Sequence, residues 1–106
     1  MRLITGRVDI PSAGTRVQIS SVKEKVRWIR FSSVFGNSAG IYFGDVTVSA
    51  TAGKELRPPE DSEIHGLESQ SELRPWVDGA GTIFLSDLYA DADTNGDDIE
   101  YEALVV

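Results

Sequence analysis

The chain has 106 residues, with 10 basic side chains against 17 acidic ones and a formal net charge of −7. That length suits one domain spanning residues 1–106 with a modest core, and an ordinary hydrophobic content of 41% argues against global disorder. The acidic surplus makes nucleic acid and anionic membrane poor partners, and the absence of cysteine removes disulfides and thiolate chemistry.

Short apolar-alternating runs between turn residues set the pattern from the start of the chain. Ile4, Val8 and Ile10 share one side of a first strand, with Thr5, Arg7 and Asp9 on the other, and residues 11–14 break it. Thr15, Val17 and Ile19 alternate with Arg16, Gln18 and Ser20 in a second. Residues 21–29 carry a capping-box start (Ser21, Glu24) and some helical spacing, but the run continuing into Phe31 and Val34 favours a strand over residues 26–35. Ile29, Phe31 and Phe35 would then share a face. Residues 36–40 form a turn, residues 41–44 a fourth strand, and Val46, Val48 and Ala50 line a fifth. Pro58 and Pro59 exclude a central strand over residues 57–62, because proline donates no ladder hydrogen bond. Residues 63–81 read as strand fragments and loop. Two closing strands bring the expected count to seven or eight, the cadence of a β-sandwich. Nothing at the start resembles a secretion signal, and no apolar run approaches membrane-spanning length, so synthesis in a cytoplasm is expected.

Residues 91–102 satisfy the calcium-loop formula D-x-[DN]-x-[DN]-G-x5-E at every fixed position. An EF-hand also needs a helix on each side, so that the last glutamate folds back onto the ion. Residues 82–89 are rich in β-branched and aromatic side chains, and Ile99, Tyr101, Ala103 and Val105 alternate with Glu100 and Glu102. Asn95-Gly96 between two such runs predicts a β-hairpin with an acidic tip. In that hairpin Glu102 faces Tyr89, Glu100 faces Asp91 and Asp93 faces Asp98. Glu102 would lie roughly 20 Å from Gly96, too far to close a loop site. A cation held by Asp91, Asp93, Asn95 and Asp97 alone is the alternative to a solvated tip. No other cofactor is expected.

Enzyme chemistry has little to start from in this sequence. His65 is the single histidine, which with no cysteine excludes a Cys-His pair and Cys/His zinc sites. No serine or acid is marked as its partner, and residues 79–82 lack the spacing and lysine of a phosphate loop. The basic cluster Lys23, Lys25, Arg27 and Arg30 reads as a solvated face. Trp28 and Trp76 suit core or interface packing, with a sugar-stacking platform as the alternative.

The order Asn37…Gly40-Ile41-Tyr42-Phe43-Gly44, Val46-Thr47-Val48-Ser49…Gly53, Leu56, Pro58, then Leu85-Ser86-Asp87-Leu88-Tyr89-Ala90-Asp91 and Asn95-Gly96-Asp97 resembles small β-sandwich virion proteins of tailed bacteriophages. These are single-domain head decoration, or cement, proteins and related accessories. The resemblance runs from about Val26 onward and is a pattern of turns and packing positions. It departs from the pattern at residues 58–61 and over residues 63–81. It implies an all-β antiparallel sandwich of Greek-key or jelly-roll type, non-enzymatic, in which Gly40, Gly44 and Gly53 permit tight turns and Tyr42 and Phe43 pack on opposite faces. The implied location is the capsid exterior, and the implied partners are the major capsid protein and further copies of the chain, as dimer or trimer. Trp76, Arg57, Pro58, Pro59 and Asp61 are the candidate contact residues. The alternative is a sugar- or receptor-binding module of a tail fibre.

Overall fold

The structure, a computed structural model, describes residues 2–34, 36–58, 69–74 and 82–106. They form eight strands: β1 (Arg2–Ile10), β2 (Val17–Gln18), β3 (Val26–Ser33), β4 (Ile41–Gly44), β5 (Lys54–Leu56), β6 (Gln70–Leu73), β7 (Tyr89–Ala92) and β8 (Asp97–Val105). Every pairing between them is antiparallel. One sheet has the order β1-β8-β3-β6 and the other β2-β7-β4-β5. The chain is thus nested upon itself: β4 pairs with β5, β3 with β6, β2 with β7 and β1 with β8. That order is the eight-stranded jelly roll, two Greek keys closed into a sandwich.

The alternation read from the sequence places the core. In β1, Ile10 is fully buried and Ile4 and Val8 pack against the core, while Thr5, Arg7 and Asp9 face solvent. In β8, Ile99, Tyr101, Ala103 and Val105 point inward. The two sheets meet where Phe31 of β3 stacks on Phe43 of β4, with centroids 4.3 Å apart and planes 28° apart. Ala90 and Ala92 supply the small buried side chains of β7 that let the sheets approach. Tyr42 and Phe43 do lie on opposite faces, the phenol directed outward against Asp93 and Glu55. Residues 21–29 form no helix: β3 begins at Val26, with a bulge between Val26 and Trp28.

Four local expectations are corrected. Residues 93–96 do not close a hairpin, because β7 and β8 belong to different sheets. Glu102 faces Thr5 and Arg30 instead of Tyr89, Glu100 faces Arg7 and Ser32 instead of Asp91, and Asp98 faces Asp9 instead of Asp93. Gly96 alone has positive φ, +84°, and Asn95 does not, so the turn carries the chain from one sheet to the other. Secondly, Val46, Val48 and Ala50 line no strand. Asp45 accepts from the Thr47 amide at 2.8 Å and its hydroxyl at 2.5 Å, holding a turn, and the strand forms later, at β5. Thirdly, residues 85–87 make a 3-10 turn, opened by the Phe84 amide donating to Asp87 Oδ2 at 3.1 Å. It buries Leu85 completely at one end of the sandwich. Finally, Gly40, Gly44 and Gly53 are not positive-φ positions. A Cβ on Gly53 would lie 2.6 Å from Val48 Cγ2, and one on Gly40 2.6 Å from Glu55 Oε2, so two of these glycines serve close approach. The inward placement of Phe35 lies outside the described residues.

Candidate functional site

Because every strand antiparallels its neighbours, the loops sort to two ends of the sandwich. Residues 11–16, 34–40, 57–58 and 93–96 gather at one end, with 19–25, 45–53 and 82–88 at the other. The calcium-like segment lies at the first end, and its side chains are distributed among the surrounding loops. Asp91, 3% exposed, accepts from the Gly14 amide at 2.9 Å and from the Ala92 amide at 2.8 Å. Asn95 Oδ1 accepts from the Ala13 amide at 2.7 Å. Asp97, 5% exposed, accepts from the Ser38 amide on both oxygens at 3.1 Å and from the Ala39 amide at 3.2 Å. Asp93 Oδ2 accepts from the Tyr42 hydroxyl at 2.7 Å, and its amide donates to the Gly40 carbonyl at 3.0 Å. The four side chains therefore diverge toward different partners. Among the described residues no group of three or more acidic or histidine side chains converges as a metal site would require.

This divergence makes the end a cross-tied platform. Asp91 and Asp97 satisfy loop amides, and Asp93 the Tyr42 hydroxyl, that would otherwise need water, and charged acceptors make the stronger hydrogen bonds. Asn37 adds a further tie between the loop end and β8. Its carboxamide donates to the Asp98 carbonyl at 2.7 Å and accepts from the Asp98 amide at 2.9 Å. It also donates to Ser33 Oγ at 2.9 Å. The side chain thus stands in for a strand residue beside β8, just past the end of β3. An asparagine followed by small residues between two strands is the only sequence trace of this role.

Tyr42 sits between two acids, 2.7 Å from Asp93 and 3.2 Å from Glu55. The hydrogen bond to Asp93, burial and the two negative charges together hold its phenol far above the ordinary range. Arg57 continues the chain of contacts, its Nε 3.7 Å from Glu55 Oε1 on a mostly exposed side chain. Pro58 follows it, half-buried. The platform and two of the five candidate contact residues, Arg57 and Pro58, are thus brought to one end. Trp76, Pro59 and Asp61 lie outside the described residues, as does His65.

The outer face of the β1-β8-β3-β6 sheet has a separate character. Leu3 pairs with Leu104 and Leu104 with Trp28, forming an apolar row across three strands. Leu3 is 60% exposed. Arg30 covers Trp28, its guanidinium 5.7 Å from the ring centroid, and is also paired with Glu102. Of the basic cluster, Lys23 lies 5.3 Å over the Phe84 ring. The cluster is therefore partly engaged with the fold's own side chains. A shallow depression of about 450 Å³ on the same sheet is lined by Thr5, Arg7, Ser32, Glu100 and Glu102, over Gly6 and Tyr101.

The arrangement defines a jelly-roll domain with a braced acidic loop end and a mixed-charge outer sheet. In comparisons with known proteins, no family model matches the chain, and no curated protein or solved structure matches it either.

Proposed function

We propose that the chain is a non-enzymatic structural protein of a phage virion, a head decoration protein that binds the assembled shell from outside and stabilises it. The observation that carries this reading is the cross-tied loop end. Asp91, Asp93, Asn95 and Asp97 are spent on bracing loops 11–16, 34–40 and 93–96 and the Tyr42 hydroxyl of β4, which suits a surface that must hold its shape under load. Eight-stranded jelly rolls serve viral capsids, and the segments carrying the sequence resemblance form β4, the 3-10 turn, β7 and the braced turn. In this reading the loop end docks on the major capsid protein, with Arg57 and Pro58 at its margin. Many copies would bridge neighbouring subunits, each contact adding to lattice stability through preferential binding to the assembled state.

Quantitative mass spectrometry of purified virions tests this. A copy number equal to the shell protein, or a simple fraction of it, is expected. Absence from the particle would overturn the reading. A second reading, a sugar-binding module of a tail fibre, has support from half-buried Trp28 on an open sheet face, since jelly rolls also serve as lectins. It predicts few copies per particle and a shift of tryptophan emission on adding a glycan.

A further inference from the structure

We infer that β1 is a self-association edge: two copies pair antiparallel through Gly6–Ile10 about a two-fold axis at Val8, joining their β1-β8-β3-β6 sheets into one.

Among the described residues the sandwich has four edge strands, and they are unequal. β2, β5 and β6 have two, three and four residues, whereas β1 has nine. Short edges offer little to pair with; a long regular one presents a row of unpaired amides and carbonyls. Of the usual protections β1 has only charged side chains, Arg2, Arg7 and Asp9. Its register with β8 runs unbroken from Arg2↔Val105 to Ile10↔Asp97, with no bulge. It contains no proline or lysine, and among the described residues its only strand neighbour is β8. An edge blunted by charge alone can still pair where the charges of its partner are complementary.

Charge fixes both occupant and register. Arg7 and Asp9 lie on the same outer face of β1, two residues apart. An antiparallel pairing centred on Val8 sets Arg7 of each copy directly opposite Asp9 of the other, giving two reciprocal ion pairs. It also sets Val8 against Val8 on the core side. Among the described residues Asp9 is in no ion pair. Across β1–β8 it faces Asp98, a like charge, and Arg7 Nε is bonded to Asp98 Oδ2 at 2.7 Å. The hydrogen bond to Asp98, with slight desolvation and charge repulsion behind it, raises the Asp9 carboxyl above its ordinary range. A second copy supplies a cation from residues already on the edge. The interface is small, so the dimer is weak in solution and gains strength only where copies are held close together. This inference stands independently of the virion reading.

Sedimentation equilibrium of the full chain over a range up to millimolar concentration tests it. The wild type should show a reversible monomer–dimer equilibrium that weakens with salt. Asp9→Arg places a guanidinium opposite Asp98, so the monomer keeps its fold by circular dichroism. In the dimer the same guanidinium meets Arg7 of the second copy, which should weaken association about tenfold or more. Arg7→Glu should do the same, because the introduced carboxylate then faces Asp9 across the two-fold axis. Mixed in equal amounts, the two variants carry complementary edges and should recover the dimer. A wild type that stays monomeric at millimolar concentration would overturn the inference. So would a dimer that survives Asp9→Arg, or folded single variants that fail to associate when mixed.

Discussion

Removing the Asp97 carboxylate should cost more than removing any other acid of the 91–98 segment. The residue is 5% exposed, and its two oxygens hold the Ser38 and Ala39 amides at 3.1 to 3.2 Å. Hydrogen bonds to a charged group contribute about 1.5–3 kcal/mol net, and a buried donor left unpaired costs about 1–3 kcal/mol. Loop 36–40 can partly rehydrate, so Asp97→Ala should lose about 3 kcal/mol. For a domain of this size that corresponds to a fall in Tm of roughly 12–24 °C. Asp97→Asn keeps one acceptor oxygen but turns a donor toward another donor, and should lose about half as much. Urea denaturation followed by tryptophan fluorescence measures both variants on one scale. If Asp97→Ala stayed within about 0.5 kcal/mol of the wild type, the platform would not be braced by this residue, and the main support for the virion reading would go with it.

Other consequences can be read from single positions. Gly53→Ala would push its Cβ to 2.6 Å from Val48 Cγ2 and 3.1 Å from the Phe43 carbonyl, and should lose about 1–3 kcal/mol in a thermal melt; adding Val48→Ala should recover part of that loss. Phe31→Ala removes the ring that stacks on Phe43 and is fully buried, so a loss of about 3–5 kcal/mol is expected by denaturant titration. Tyr42 and Tyr101 both have phenols raised above 10.0, so the unfolded chain ionises first; their stabilisation is complete below about pH 10 and is lost as pH rises beyond it. Tyr42→Phe should therefore flatten the alkaline limb of stability against pH. Millimolar calcium should leave Tm unchanged, since the four candidate ligands are directed to loop amides and a hydroxyl; a clear rise would show that the loops rearrange around an ion.

The sequence disclosed strands well and partners poorly, for a physical reason visible at residues 89–105. Alternation depends on which face of a strand is wet, and that survives in the chain as Ile99, Tyr101, Ala103 and Val105. A turn signal such as Asn95-Gly96 encodes only that the chain bends. Whether it returns beside itself or crosses to the opposite sheet depends on residues far away, because the neighbours of β8 are β1 and β3. Asp9 pairs across to Asp98 and Arg2 to Val105, separations that local reading does not reach. The acidic side chains mislead for the same reason. Their spacing matches a calcium loop, but their chemistry is decided by amides of residues 13, 14, 38 and 39, brought in by the nesting of the strands. A carboxylate that accepts from loop amides can be wholly committed to them or keep an oxygen for an ion, and spacing along the chain does not tell which. Here the fold delivers amides to three of the four side chains, and residues 91–97 clasp the loops that join the two sheets at one end.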